Sequence, residues 1–411
     1  MSKMIYVYEN NSAGMDVLVG YVYVEEVNGK EVFAFEYADD WLTGHIGNVS
    51  FDPDINMYAG RQYLDNNKTI FGMLADSCPD RWGRMLMQRR ESIVAQKEER
   101  HPRKLLESDF LLGVYDGARI GSLRYKLDRD ADFLANDKNL AVPPWVALHK
   151  LENASWAFEQ GESANEWLEI LIAPGSSLGG ARPKATVQDE KGNLWIAKFP
   201  SKNDEYDVGA WEMVVHDLAA MVGLNVPLAR LEKFSEKGST FLVKRFDRLD
   251  NRRLHFASAM TLLGKQDGEF GTSYLDLVNF ICSYGVQVEQ DLKELWKRVA
   301  FSMLVGNTDD HLRNHGFLLE QNGWHLSPIF DVNPVPYGNN LGLLVNETSS
   351  LINEDLLLST AKYYRLSDSE AKTIFKEMQT TVNSHWQAKA KQYRIKRKSI
   401  EYMQEAFAKM L

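Results

Sequence analysis

Apolar and polar positions alternate with a period of two through the first forty residues. Ile5-Tyr-Val-Tyr, Leu18-Val-Gly-Tyr-Val-Tyr-Val and Glu31-Val-Phe-Ala-Phe-Glu-Tyr predict strands, and Asn28-Gly29 marks a tight turn between the last two. A small antiparallel sheet is therefore expected at the start of the chain. Ser77-Cys-Pro-Asp-Arg-Trp-Gly-Arg-Met-Leu opens a helix, with Asp80 placed to cap it. Residues 128–144, charged and ending in Pro143-Pro144, are the best candidate for a linker. Beyond them come a glycine-rich loop, a strand at Asn193-Leu-Trp-Ile-Ala-Lys-Phe-Pro, a helix over 208–224 and a further strand from Thr240. From His255 onward the period is mainly helical, over 274–283, 288–305, 353–361, 367–382 and 391–410. The pattern predicts an α+β chain in which a mixed-sheet lobe leads into a mostly helical lobe. It contains no convincing internal repeat.

Composition narrows the class. A chain of 411 residues that is 44% hydrophobic can bury more than one sizeable core. No stretch approaches the uncharged apolar run of a membrane helix, so no membrane association is expected. Two cysteines, Cys78 and Cys282, and an N-terminus without an apolar signal core point to the cytoplasm. A net charge of −10 argues against a generally nucleic-acid-binding surface, because such affinity comes mostly from accumulated Lys and Arg. Two basic stretches, Arg81, Arg84, Arg89 and Arg90, and Lys389 to Lys398, can serve as local phosphate or partner contacts; solvated helix faces are the bland alternative.

The densest chemistry lies in Gly306-Asn-Thr-Asp-Asp-His-Leu-Arg-Asn-His-Gly-Phe317. Leu292, Leu295, Trp296, Val299, Met303 and Leu304 recur at helical spacing before it, so a buried helix should stop at a left-handed Gly306. After it, Phe317-Leu-Leu-Glu and Trp324-His-Leu-Ser-Pro-Ile-Phe predict a hairpin turning at Asn322-Gly323 and closed by Asp331. Phosphoryl transfer needs a positioned hydroxyl, oxygen ligands for Mg²⁺ and charge neutralisation on the moving group. In protein kinases the base Asp and a metal-binding Asn stand five positions apart, and a second metal Asp follows a short hairpin. Asp309, Asn314 and Asp331 match that layout, although Val332-Asn333 replaces the usual Phe-Gly. His311 falls within the same catalytic set. Zinc held by His311 and His315 is a rival reading, weakened by the lack of a nearby Cys.

Other segments extend this layout. Ser176, Ser177, Gly179, Gly180 and Lys184 lie in a loop whose backbone N–H groups can approach phosphate, though it matches neither G-x-G-x-x-G nor the Walker pattern. Lys198 shares a strand face with Leu194 and Ile196, and a buried ammonium requires an anion: a nucleotide phosphate together with Glu212, or with Asp207 as second candidate. A lysine that snorkels to water from a strand end stands as the alternative. Lys244 to Phe246 would form a hinge whose backbone meets an adenine edge; an edge strand with salt-bridged ends is the simpler reading.

Six segments in order resemble the HipA family of serine/threonine kinase toxins from type II toxin–antitoxin modules. They are Pro79-Asp-Arg-Trp-Gly-Arg, Ser177-Leu-Gly-Gly-Ala-Arg-Pro-Lys184, Ile196-Ala-Lys-Phe-Pro200, Leu242-Val-Lys-Arg-Phe-Asp-Arg248, Asn307-Thr-Asp-Asp-His-Leu-Arg-Asn314 and Pro328-Ile-Phe-Asp331. The resemblance implies a bilobal protein-kinase-like fold behind a small β-rich N-terminal subdomain, with divisions at 1–145, 146–250 and 251–411. It implies ATP and Mg²⁺ as cofactors, Asp309 as base, Asn314 and Asp331 as metal ligands and Lys198 on the nucleotide phosphates. It further implies autophosphorylation at Ser177 or its neighbour Ser176, a HipB-like helix-turn-helix antitoxin, operator DNA bound mainly through that antitoxin, and a protein substrate such as an aminoacyl-tRNA synthetase. The chain has Ala-Arg-Pro-Lys where the best-studied members have Ala-Gln-Glu-Lys. Two competing functions are a small-molecule kinase of the same fold and a non-catalytic scaffold for antitoxin and DNA.

Overall fold

In the computed structural model, the alternating N-terminal segments pair as an antiparallel sheet. The structure describes residues 2–10, 14–44, 50–65, 67–137, 142–162, 171, 180–249, 252–320 and 323–410. These group into two compact units that interleave in sequence. The first comprises Met1–Lys202, Lys244–Ala257 and Leu318–Asn322; the second comprises Asn203–Val243, Ser258–Phe317 and Gly323–Leu411. Among the described residues no helix is long and apolar enough to cross a membrane.

In the first unit, β1 (Ser2–Asn10), β2 (Asp16–Val27), β3 (Lys30–Tyr37), β4 (Gln62–Tyr63) and β5 (Leu123–Lys126) form one sheet in the order β4-β3-β2-β1-β5. Its register follows the expected turn: Val27 pairs with Lys30 across Asn28 and Gly29, both at positive φ (53° and 73°). Alternate residues therefore face one side, where Ile5, Val7, Val22, Val24, Phe33 and Phe35 are buried against Phe71, Leu74 and Tyr125. Burying each large apolar side chain contributes roughly 1.5–3 kcal/mol, before conformational entropy is subtracted. A second hairpin in this unit joins β6 (Lys184–Gln188) to β7 (Leu194–Lys198), with Lys184 opposite Lys198.

The second unit is built on the helix Val288–Val305, whose expected apolar stripe is buried throughout and whose last two turns are buried on every side. A hairpin of β8 (Ala229–Ser235) and β9 (Gly238–Lys244) precedes it. The helix Val208–Met221 packs through Trp211 against Trp386 and Phe407, whose rings stack at 4.5 Å. Caps at Asn353 and Ser367 start two C-terminal helices at the expected places. The second runs farther than the sequence pattern suggested, through Gln392, because Trp386 and Ala390 keep its buried stripe going. A left-handed Arg394 then breaks the chain, and the final helix starts at Arg397, in place of the expected 391.

Two features of the first unit depart from expectation. The described part of the 128–144 segment is held in place: Leu134 N donates to Tyr125 O and Asp116 N to Ala135 O, each at 2.9 Å, and Gln188 N donates to Pro143 O at 2.9 Å. Backbone pairing of this kind satisfies groups that a free linker would leave to water. The Arg245-Phe-Asp-Arg248 segment forms a buried charge knot. Asp247 accepts from Arg245 at 2.9 and 2.6 Å, from Arg248 at 2.7 Å and from Gly121 N at 2.9 Å. Arg245 and Arg248 also donate to the carbonyls of Ala118 and Arg119. Burial opposes the charge on Asp247, but the two guanidiniums and the amide outweigh it and hold its carboxyl far below the ordinary range. Asp247→Ala is therefore expected to lose about 3 to 5 kcal/mol in chemical denaturation. Because the folded-state pKa is depressed, the wild-type contribution is full above the unfolded value of about 4 and fades as pH falls below it. The wild type–variant gap should shrink in acid.

Candidate active site

Local geometry begins at Gly306, which ends the helix Val288–Val305 in the left-handed region (φ 67°, ψ 36°), as its sequence position suggested. A side chain there would also meet Ala406 O at 2.8 Å and Val335 O at 3.1 Å, so both conformation and space favour glycine. Asn307 N donates back to Ser302 O at 2.8 Å, turning the chain into the polar loop.

Four contacts fix the loop. Asn307 is buried; its Oδ1 accepts from Asn333 N at 3.4 Å, and Val335 N donates to Gly306 O at 3.0 Å. The segment carrying Asp331 is thus laced to the start of the loop. Asp310 is also buried and points inward: Tyr274 Oη donates to its Oδ2 at 2.6 Å, and His315 Nε2 stands 3.0 Å from Oδ1. The histidine contact is an ion-pair approach off the line of an ideal hydrogen bond. Burial opposes the charge on Asp310, but His315, Tyr274 and His311 outweigh it and keep the carboxyl below its usual range. Asp310 therefore acts as the anchor of the loop.

Its neighbour has the opposite fate. Asp309 is solvent-accessible, yet protein around it removes part of its hydration, and Asp331 and Asp310 add negative charge. Partial burial first, then these neighbours against the opposing His311, push its carboxyl upward. Asp331 itself adopts φ 58°, a rare conformation for a residue with a side chain and one that clusters at functional sites. Asn314 is buried and donates through Nδ2 to Asp309 O at 3.2 Å, which leaves its amide oxygen as the group able to meet a cation. His311 is exposed at the loop surface.

The Asp331 carboxylate and the Asn314 amide oxygen make an all-oxygen donor set, which suits a hard cation such as Mg²⁺. A cation there would offset the negative charge that Asp331 and Asp310 add to the effect of burial at Asp309. Zinc is a poorer fit: among the described residues no group of three or more His, Cys, Asp or Glu gathers as a metal site, and His315 is committed to Asp310.

The remaining candidates divide between the units. In the first, Lys198 ends β7 half-buried. Lys184, expected near phosphate, is instead buried and ion-paired with Asp80 at 2.8 Å. Asp80 also caps the helix Arg81–Lys97 through Gly83 N, as expected, while Trp82 donates through Nε1 to Lys184 O and through its backbone N to Gly180 O. Two motifs a hundred residues apart in the chain thereby form one clamp. Gly180 is exposed; Ser176, Ser177 and Gly179 lie outside the described residues. Arg84 of the basic helix pairs with Glu107 through two bonds, at 2.8 and 2.7 Å. Lys244 and Phe246 are half-buried beside the charge knot, and the Phe246 ring packs on Phe256. In the second unit, Glu212 is buried on the helix Val208–Met221. Asp207 is the cap of that helix, accepting from Ala210 N and from Ser239, so the second candidate partner for Lys198 has a structural role.

Sequence spacing missed the anchors. Tyr274 reaches Asp310 across 36 positions, and Asn333 reaches Asn307 across 26, distances at which no local pattern announces a contact.

Comparison with known proteins bears on the family and the fold. Residues 176–386 match the HipA-like C-terminal domain. The "Putative kinase Y4mE" of Sinorhizobium fredii is 29% identical over 148 residues, 33% of each chain. A "Putative kinase" of Haemophilus influenzae is 29% identical over 239 residues, 50% of this chain and 69% of that one. The chain thus matches only a third of the first relative's length. HipA of Shewanella oneidensis, solved with HipB and its operator DNA, superposes with a TM-score of 0.65 at 15% identity, covering 98% of this chain and 96% of that one. That likeness identifies the α+β fold. With the domain match covering half of its length, the chain belongs to the HipA family, defined by the HipA-like C-terminal domain.

Proposed function

We propose that this chain is an ATP- and Mg²⁺-dependent serine/threonine protein kinase. The observation that carries the reading is the laced pair of segments that brings Asp309, Asn314 and Asp331 together, with Asp309 left open while Asp310 is tied down. Membership of the HipA family and the kinase names of its relatives support it.

In the proposed reaction the acceptor hydroxyl oxygen bonds to the γ-phosphorus of ATP as the bond from that phosphorus to the bridging oxygen breaks, and ADP leaves. The hydroxyl proton passes to the Asp309 carboxylate and then to solvent. Asn314, through its bond to Asp309 O, fixes the carboxylate's backbone, and Asn314 Oδ1 and Asp331 are the groups that would hold Mg²⁺. When bound, Mg²⁺ supplies charge neutralisation at the phosphates. His311 lies beside Asp309 and moderates its charge. Lys198 is the ammonium assigned to the nucleotide phosphates, with Glu212 as its orienting carboxylate. Gly179, Gly180, Ser176 and Ser177 belong to the phosphate-facing loop, in which Ser177 or Ser176 accepts an autophosphoryl group. Backbone groups at Lys244 and Phe246 meet the adenine. The buried Asp80 pair leaves Lys184 a positioning role beside Gly180. A HipB-like antitoxin, with operator DNA bound through it, is the proposed partner, and the setting is cytoplasmic.

Incubation with radiolabelled ATP and Mg²⁺ tests this directly. The wild type should label protein, itself or an added acceptor, and Asp309→Asn should lose roughly 10²- to 10⁴-fold in turnover. Undiminished transfer by that variant would remove Asp309 from its role, and label confined to small molecules would point to the small-molecule kinase reading. Lys198→Met should weaken ATP use by roughly 10- to 100-fold in kcat/KM, the worth of a charged hydrogen bond. Equal kcat/KM values would take Lys198 out of the nucleotide site.

A further inference from the structure

Two aromatic side chains of the second unit stand almost free in solvent on loops that are laid against the catalytic loop. Phe270 is 96% exposed and Tyr337 is 69% exposed. A lone surface aromatic needs no explanation. These two differ because each sits on a segment fixed to one end of the Asp309 loop.

At the far end, Arg313 donates to Asp267 Oδ2 at 2.7 Å and through Nε to Met260 Sδ at 3.3 Å. The loop that bears Asp267 and Phe270 is ordered by its own bonds. Glu269 accepts from Gln266 N at 3.1 Å and pairs with Lys265 at 3.4 Å, and Leu344 N donates to Thr272 O at 3.0 Å. Gly268 and Gly271, both at φ 85°, flank the phenylalanine and turn it outward. The loop's acids are paired with Arg313 and Lys265, and Phe270 is the large apolar group it offers to solvent.

At the near end, Gly338 packs on Thr308, the residue before Asp309, with an added Cβ only 3.6 Å from Thr308 Cγ2. Lys409 holds this segment by donating to Val335 O at 2.9 Å and Tyr337 O at 3.0 Å. A few residues on, Gly342 lies against the backbone of Asp310 so closely that a Cβ would fall 2.1 Å from its carbonyl oxygen. The backbone that displays Tyr337 is thus fitted to the catalytic loop as tightly as the loop that displays Phe270.

We infer that Phe270 and Tyr337 are docking contacts for the acceptor: an extended polypeptide segment with apolar side chains on both sides of its serine or threonine. The inference rests on the protein-kinase reading and names its substrate class. Two separate aromatic platforms, on segments tied to either end of the Asp309 loop, suit a peptide, which extends to both sides of its serine, better than a nucleotide or a small polar acceptor, which does not. Neither aromatic touches the reacting groups, so both are specificity residues, and their loss should act on KM and leave kcat nearly unchanged.

The test is a positional-scanning library of serine peptides, assayed with radiolabelled ATP on the full chain, alongside ATP hydrolysis without peptide. The wild type should prefer Leu, Met or Phe near the serine. Phe270→Ala and Tyr337→Ala should each raise KM for the preferred peptide roughly 5- to 30-fold, flatten selection on one side of the serine, and leave peptide-free hydrolysis and thermal stability unchanged. Phe270→Leu should restore much of the preference. Wild-type selection for charged residues, or a double variant with unaltered KM and selection, would overturn the inference. ATP hydrolysis with no peptide labelled would overturn it and leave the nucleotide chemistry standing; absence of both activities would overturn the kinase reading with it.

Discussion

Two adjacent aspartates with opposite surroundings set up the site. Asp310 is buried, bonded by Tyr274 and paired with His315, and its charge stays because those partners outweigh the cost of burial. Asp309, one residue earlier, stays open beside Asp331. A loop of this polarity gains little from its own backbone, so its shape has to be imposed by the packed elements around it. The inward aspartate imposes it from below, Asn307 and Gly306 impose it from the side of Asp331, and the helix Val288–Val305 gives all of them a rigid base. The Asp309 carboxylate is then held in place by its neighbours' bonds.

The same logic appears in the first unit. Asp247 and Asp80 are each buried and each tie distant segments: Asp247 joins the Arg245–Arg248 stretch to Gly121, and Asp80 joins the cap of the helix Arg81–Lys97 to Lys184. Buried ion pairs of this kind are weak sources of net stability, but breaking one leaves a stranded charge. They make the alternatives to the native pairing expensive. Two residues that read as phosphate contacts from the sequence are engaged in ion pairs, Lys184 with the buried Asp80 and the half-buried Arg84 with Glu107.

Local physics was legible in the chain and long-range pairing was not. The Asn28-Gly29 turn, the Asp80 cap, the helix start at 367, the left-handed Gly306 and the limits of the helix at 288–305 follow from side-chain period and backbone preference, and each stands where expected. The spacing of Asp309 to Asn314 was likewise visible, since five residues of a tight loop carry it. The role of Asp310 was not, because its partners come from 36 positions upstream and from a histidine that a zinc reading claims equally well. Residues 128–144 looked like a tether because the stretch is charged and ends in Pro143-Pro144; the backbone bonds that hold its described residues leave no trace in side-chain pattern. The last helix boundary was misplaced for a related reason, since the buried positions Trp386 and Ala390 carry the preceding helix through Gln392 and the left-handed turn at Arg394 is not announced by side-chain period.

The central claim is that Asp331 and Asn314 provide oxygen ligands for a divalent cation that comes with nucleotide, beside an Asp309 whose carboxyl partial burial and, after it, the neighbouring acids hold above the ordinary range. Calorimetric titration with ATP, with and without Mg²⁺, measures this most directly in the wild type and Asp331→Asn. The account predicts wild-type binding that strengthens when Mg²⁺ is present and a variant in which that Mg²⁺-dependent gain is lost. Equal gains in both proteins, or a wild type indifferent to Mg²⁺, would contradict it.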